Sequence, residues 1–561
     1  MSLKNTCLKL FSLVILISLS SNHVMASQKG KASTNASPKI VNIINFIREC
    51  EPRSKEITND VLYETVYNQV KQLSQYDLPG TFLLQYDALI IPRYQKLLKN
   101  EMVRGSEVGA WWEITQPHVE AAGLTWRGRY SWDWHANVGF STGYSPVERE
   151  KLVDVYMEKF KEIFGKYPAS VGSWFIDAHT LSYMYDKYGI VASCNCKDQL
   201  GTDGYTLWGG YWNQAYYPSK ENAYMPAQNK KNQIPVPIFR MLGSDPITQY
   251  DNGIGGHIQG VVSLEPVYPE SGGDRCWIEW FFDAIFNEPC LAFNYTQAGQ
   301  ENSFTWNAMK KGLNVQIPLL DSLRKKGKIR IETLEESGKW FKENFRETPS
   351  TAVTVTKDFK NNGRKTVWFN SRYYRANLLW DNGTFYFRDI HIFDERYPSD
   401  YFKKAGTSTQ CIYTTLPIVD GFQWSNSKIL AGLYFQHVGS NGKEKNMCFS
   451  DPEVKELSKD VLQVSCEAES GEKIHILFYE DHFEITNTSK SKNNSWALQL
   501  ITAPDAQLPF TSLNKKEIKA ELKGFPYQLK CSKGDIYWPN NHNYRFIPQN
   551  ETIKVDCSIR K

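Results

Sequence analysis

Ile40-Val-Asn-Ile-Ile-Asn-Phe-Ile47 is an apolar run that reads as a buried strand. A helix-period stretch follows from Ile57 to Tyr76, and Gly80-Thr-Phe-Leu-Leu-Gln-Tyr86 then reads as a second strand. A strand, a helix and a strand in succession make a crossover unit, so the two strands run parallel. The alternation continues outward. Pro92 to Lys99 is a short helix and Glu107-Val-Gly-Ala-Trp-Trp112 a third strand. Ser145 before Pro146 is a cap and first-turn proline opening an amphipathic helix to Phe164. Ala169 to Ile176 is a strand, Leu181 to Tyr188 a helix and Ile190 to Cys194 a strand. Pro235 to Leu242, Gly260 to Leu264 and Leu291 to Tyr295 complete the apolar set, with helices over Trp277 to Phe286, Asn307 to Arg324 and Leu334 to Phe345. Seven or eight such units in about 300 residues imply a barrel rather than an open sheet. No Gly-rich phosphate loop follows the first strand, which disfavours the open doubly wound alternative.

Beyond about residue 350 the period changes. Ala352-Val-Thr-Val-Thr356, Thr366-Val-Trp-Phe369, Ile474-His-Ile-Leu-Phe478 and Phe483-Glu-Ile-Thr486 are short and β-branched or aromatic. Asn361-Asn-Gly363 and Ser440-Asn-Gly442 supply turn residues between such runs. The expected fold class is α/β: a distorted (β/α)7-type barrel over 40–348, followed by an all-β sandwich over 349–561.

The chain opens with Lys4 and Lys9, an apolar run from Leu10 to Leu19, and the small-residue site Val24-Met25-Ala26. That is the layout of a secretory signal peptide over 1–26, followed by a disordered stretch over 27–39. The expected location is therefore periplasmic or secreted, with no membrane span in the mature protein. Export permits disulfides. However, Cys411, Cys448, Cys466, Cys531 and Cys557 are an odd five in the C-terminal half, which argues against a complete local framework. The net charge of +4 and the lack of a basic block exclude nucleic acid as a natural partner. The sequence does not set the oligomeric state.

Three pieces of the barrel half carry a resemblance. Gly80-Thr81-Phe82, Glu107-Val108-Gly109 and Phe164-Gly165-x-x-Pro168 with the later Tyr188-Gly189 resemble, in order and spacing, motif regions of the polysaccharide deacetylase barrel, a fold shared with several glycoside hydrolase families. The chain as a whole also resembles a family of secreted bacterial proteins grouped with the glycoside hydrolase/deacetylase barrels. Cys196-Lys-Asp-Gln199, Gly201-Thr-Asp-Gly-Tyr205 and Ala298-Gly-Gln-Glu-Asn302 carry that likeness, which brings no established activity. The resemblance implies metal ligands in deacetylases: an Asp on strand one and two His four apart on strand three. Here those places hold Glu49 and Glu51, then Trp111 and Thr115, with His118 out of register. The third-motif arginine is replaced around Ser173-Trp174. A hydrolytic metal needs about three protein ligands, so no metal and no cofactor is expected at this place.

Glycoside hydrolysis instead needs two carboxyl groups, and a barrel places them past the C-terminal strand ends. Glu51, Glu113, Asp177, Asp198, Asp245, Glu265 and Glu301 all follow strands in this reading. The pattern of related glycosidases implies Asp177 as nucleophile or base, with Asp245 or Glu265 as the acid. Asp177 is also four residues before Leu181 and would equally serve as a helix cap. Aromatic residues make up 14% of the chain, including 17 Trp. Their polar tips and flat faces suit sugar rings as well as a large core. The expected sugar contacts are Glu51, Glu113, Trp134, His135, His179, Asp198, Asp203, Trp208, Arg240 and Glu301, with the Gly201–Tyr217 loop as a stacking platform. A lone His such as His135 or His257 reads equally as a structural group. The expected function is an exported glycoside hydrolase with a carbohydrate substrate. A deacetylase-like metal hydrolase with a rewritten site and a non-catalytic glycan-binding protein are the alternatives.

Overall fold

The computed structural model describes residues 37–255, 259–438, 444–489, 495–540 and 543–558. The signal peptide, most of the stretch over 27–39, His257 and the 440–442 turn lie outside the described residues. Of that N-terminal stretch, Lys39 already belongs to a strand.

The N-terminal half holds strands β1 Lys39–Ile47, β2 Thr81–Leu84, β3 Glu107–Trp111, β4 Ser170–Gly172, β5 Ala192–Asn195, β6 Gln199–Thr202, β7 Tyr205–Trp208, β8 Ala215–Tyr216, β9 Ile238–Arg240, β10 Asn294–Ala298 and β11 Arg330–Glu332, of which β6 and β7 form a separate small sheet. The main sheet runs β10-β1-β2-β3-β4-β5-β9-β8, with β11 beside β1. Every pair in it is parallel except β8 with β9. This is a nearly closed barrel wrapped by helices, as the alternating sequence predicts. Eight of the nine residues of β1 are buried, which is why its apolar run does not alternate. Helix Pro146–Phe164 starts with a complete Ser145/Glu148 capping box and ends on Gly165 at φ 75°. One predicted strand is absent: Gly260 to Leu264 is loop, with an isolated Ser244–Ser263 bridge and hydrogen bonds from Asp245 N to Val262 O and from Leu264 N to Leu242 O. Its two valines sit on a turn that brings Glu265 into the barrel mouth.

Among the described residues the C-terminal half holds a ten-stranded and an eight-stranded antiparallel sheet. They pack face to face through aromatic rings. Phe369 stacks on Phe478 at 5.2 Å between centroids, and Phe387 meets Phe483 at 5.2 Å. This is the sandwich the sequence predicts. It is closely joined to the barrel. Strand Cys411–Thr414 pairs in parallel with β7, and Trp212 stacks on Trp368 at 3.9 Å. The cysteines from Cys50 to Cys557 are unpaired. Among the described residues no helix is long and apolar enough to cross a membrane.

Candidate functional site

The C-terminal ends of the barrel strands converge on a cavity of about 270 Å³. Its lining includes Glu51, Arg53, Trp174, Lys197, Asp203, Tyr205, Glu265, Tyr268, Glu301 and Ser303. All lining residues precede Thr305, so the β-rich half contributes none.

Arg48, directly after β1, organises the floor. It is 1% exposed. Its Nε and Nη2 donate to Glu113 at 3.0 and 2.9 Å, and its Nη1 lies 3.1 Å from Glu301 and 3.8 Å from Glu51. Gln85 and Trp111 also donate to Glu113. A buried guanidinium is tolerated only when paired in this way. Glu113, predicted to touch substrate, is therefore spent on holding Arg48.

Glu301 follows β10 across Gly299, whose φ is +91°. A Cβ there would meet the Ile44 carbonyl oxygen at 2.2 Å, so only glycine lets the chain cross β1 this closely. The turn that results delivers Gln300 and Glu301 to the mouth. Ser303 Oγ donates to Glu301 Oε1 at 2.7 Å. Burial pushes the Glu301 carboxyl up to about 7, and the charge of Arg48 only partly offsets this. Glu265 accepts from Ser263 Oγ at 2.7 Å and from Gln300 Nε2 at 3.0 Å. Lys197 Nζ stands 4.0 Å from it. The Gln300 side chain also accepts the Glu301 N–H, so one amide ties the two acids together. At the rim, Arg53 grips Glu51 at 2.7 and 2.6 Å and Asp203 at 2.8 Å. Burial acts to raise the Glu51 carboxyl, but its bonds to Arg53 and the charge of Arg48 hold it below the usual range. Trp134 stacks on Tyr130 and lies under Arg129 and Arg53. His135 stands 3.9 Å from Asp133 beside it.

Four of the residues expected from sequence thus line one cavity: Glu51, Asp203, Glu265 and Glu301. Others do not, and each has a physical reason. Asp177 caps helix Ala178–Tyr188 and accepts from Arg149, Ser141 and Thr180 in a fully buried nest. Burial acts to raise its carboxyl, but the Arg149 charge and these bonds hold it below the usual range. Asp245 accepts the N–H groups of Ile247 and Thr248 and faces inward. Asp198 and Arg240 pair with each other at 2.8 Å, and Arg375 of the β-rich half joins them. Trp208 is fully buried against Tyr250 and Phe422 and donates to Asp420. Trp208, Tyr211 and Trp212 are core at the seam with the β-rich half, so only the Thr202–Tyr205 part of the expected platform reaches the cavity. His179 pairs with Glu150 at 3.0 Å, away from the mouth. Sequence reasoning missed Arg48, Lys197 and Tyr268. A cation in the turn after a buried strand, as in Arg48-x-x-Glu51, was the available signal.

Trp111 and Thr115 stand at the places that the deacetylase likeness gives to histidines. Trp111 fills its place with a ring stacked 4.1 Å from Phe46.

No family model matches the chain, and no curated protein does. Solved structures do. A candidate glycoside hydrolase/deacetylase from Parabacteroides distasonis superposes with a TM-score of 0.52 at 15% identity, over 68% of this chain and 90% of that one. A candidate polysaccharide deacetylase from Mycobacterium smegmatis gives 0.33 at 10% identity, over 55% and 91%. The first likeness is one of fold, over two thirds of this chain.

Proposed function

We propose that this chain is a carbohydrate-active hydrolase that cleaves glycosidic bonds at the barrel mouth. Glu301 is the proton donor, and Glu265 is the nucleophile or the base that activates water. The observation that carries this reading is a buried Glu301 carboxyl in the cavity that Glu265 also lines, where burial raises its pKa. Two carboxyl groups in different environments are what glycoside hydrolysis uses: one holds a proton for the leaving oxygen, the other supplies negative charge. Trp174, Tyr205 and Tyr268 offer faces for a sugar ring, and the Arg53–Asp203 rim offers partners for hydroxyls. The name carried by the Parabacteroides neighbour agrees with this class.

The division into a leader over 1–26, a barrel over 40–348 and a β-sandwich over 349–561 belongs to the same proposal, as does export. The test is incubation with a panel of polysaccharides and glycoconjugates. Release of new reducing ends supports the reading. Release of acetate without chain cleavage would replace it with a deacetylase, and binding without any product would replace it with a glycan-binding protein.

A further inference from the structure

The second cluster of chemistry lies at the seam between barrel and β-rich half, outside the mouth cavity. We propose that Asp389, His391 and Asp420 bind one divalent metal ion, with zinc as the best match. Each offers a ligand atom, and these atoms lie within 4.8 Å of one another. The sheet register builds the cluster. Strand Thr384–Ile392 places Asp389 and His391 two residues apart on one face. Strand Leu416–Asp420 pairs Asp420 directly opposite Asp389. Two acids opposite each other repel unless a cation sits between them. All three side chains are at most 1% exposed.

The surrounding hydrogen bonds prepare the imidazole for a metal. The Thr415 hydroxyl donates to the Gly209 carbonyl, so its oxygen accepts from His391 Nδ1 at 2.8 Å. That fixes the proton on Nδ1. Gly209, at φ +82°, makes the approach possible: a Cβ would meet Thr415 Oγ1 at 2.2 Å and His391 Nδ1 at 2.3 Å. Nε2 faces Asp389 Oδ1 at 3.1 Å and Asp420 Oδ2 at 3.6 Å, out of line for a hydrogen bond to either. A tetrahedral zinc with bonds of about 2.0–2.2 Å spaces its ligands roughly 3.3–3.6 Å apart, close to the two imidazole–carboxylate separations.

The carboxylates are also held from behind, as metal ligands are. Arg375 donates to Asp389 Oδ2 and Tyr250 to Oδ1, both at 2.7 Å. Asp420 accepts from the Phe422 and Gln423 N–H groups and from Trp208 Nε1. Arg375 is shared between Asp198 and Asp389, and the only charged side chain paired with Asp420 among the described residues is His391. A metal ion supplies positive charge there and joins Trp208 and Tyr250 of the barrel half to the strands of the β-rich half.

The test strips the full chain with a chelator, desalts it and adds back Zn²⁺ or Co²⁺. One equivalent of zinc should stay bound through a second desalting and raise the melting temperature. His391→Asn keeps a donor toward Thr415 and removes Nε2, so it should lose that equivalent. The unmutated chain with Co²⁺ should show the visible bands of tetrahedral cobalt without the near-ultraviolet band of thiolate ligation. That readout needs no folded variant and separates this site from the free cysteines. No retained metal, equal retention by His391→Asn, or a thiolate band would each overturn the proposal. The cluster would then be a carboxylate-bound imidazolium.

Discussion

Glu301 Oε2 lies 3.1 Å from Arg48 Nη1. Even so, among the described residues it takes no hydrogen bond. Arg48 spends its aligned donors on Glu113 and Ser303. Glu301 thus sits beside a positive charge without being locked by it, and burial decides its protonation. A carboxyl in that position keeps its proton near neutral pH and can deliver it to a leaving oxygen.

The role of Glu301 as acid predicts a leaving-group dependence. Glu301→Gln should slow cleavage of natural glycosides by about 10²–10⁴-fold. Aryl glycosides with an acidic phenol need little proton donation, so their cleavage should fall far less. Steady-state kinetics on both substrate types checks this. An equal loss on both would remove Glu301 from the acid role.

Activity and stability should both respond to pH through Glu301. Turnover should fall as pH rises through about 7, where Glu301 loses its proton. The folded state keeps that proton from the ordinary glutamate value of 4.5 up to about 7, whereas the unfolded chain has released it. The unfolded state binds fewer protons across this window, so stability declines with rising pH. Asp87, pushed up to about 7 by burial, adds the same slope. Denaturant midpoints measured from pH 4 to 8 should show a flatter curve for Glu301→Gln than for the unmutated chain.

Asp177 should prove structural. Asp177→Asn leaves the buried Arg149 without its carboxylate, a loss of about 3–5 kcal/mol when one partner of a buried pair goes. Chemical denaturation should show that loss, while turnover per folded molecule stays near that of the unmutated chain. A drop of several orders of magnitude in turnover, with stability unchanged, would restore Asp177 as a catalytic group.

Aromatic residues should separate into core and ligand sets. Trp208→Ala empties a fully buried site and should cost about 3–5 kcal/mol of stability. It should leave glycan affinity unchanged. Tyr268→Ala lies on the cavity wall and should weaken binding with little effect on stability. Calorimetry with a cleavable glycan and thermal melts of both variants decide this.

The barrel was legible because its early strands are uninterrupted apolar runs separated by well-capped helices. Pro146–Phe164 announces itself through Ser145 and Pro146. Gly260 to Leu264 misled because a valine pair carries the same apolar signal in a loop wall as in a strand; Val261 lines the cavity. Acids past strand ends were also legible, but their direction was not. Asp177 turns away because Arg149, from another helix, meets it. Trp212 looked like a loop platform because its partner, Trp368, comes from the β-rich half. Arg48 escaped notice because its role depends on Glu113 and Glu301, which only the closed barrel brings to it.

The most direct test of the paired-acid account is turnover of Glu265→Gln and Glu301→Gln on a glycan that the unmutated chain cleaves. Each variant should lose at least about two orders of magnitude in released reducing ends. Both should keep the unmutated chain's circular dichroism and its affinity for that glycan by calorimetry. Near-normal turnover by either folded variant would contradict the account.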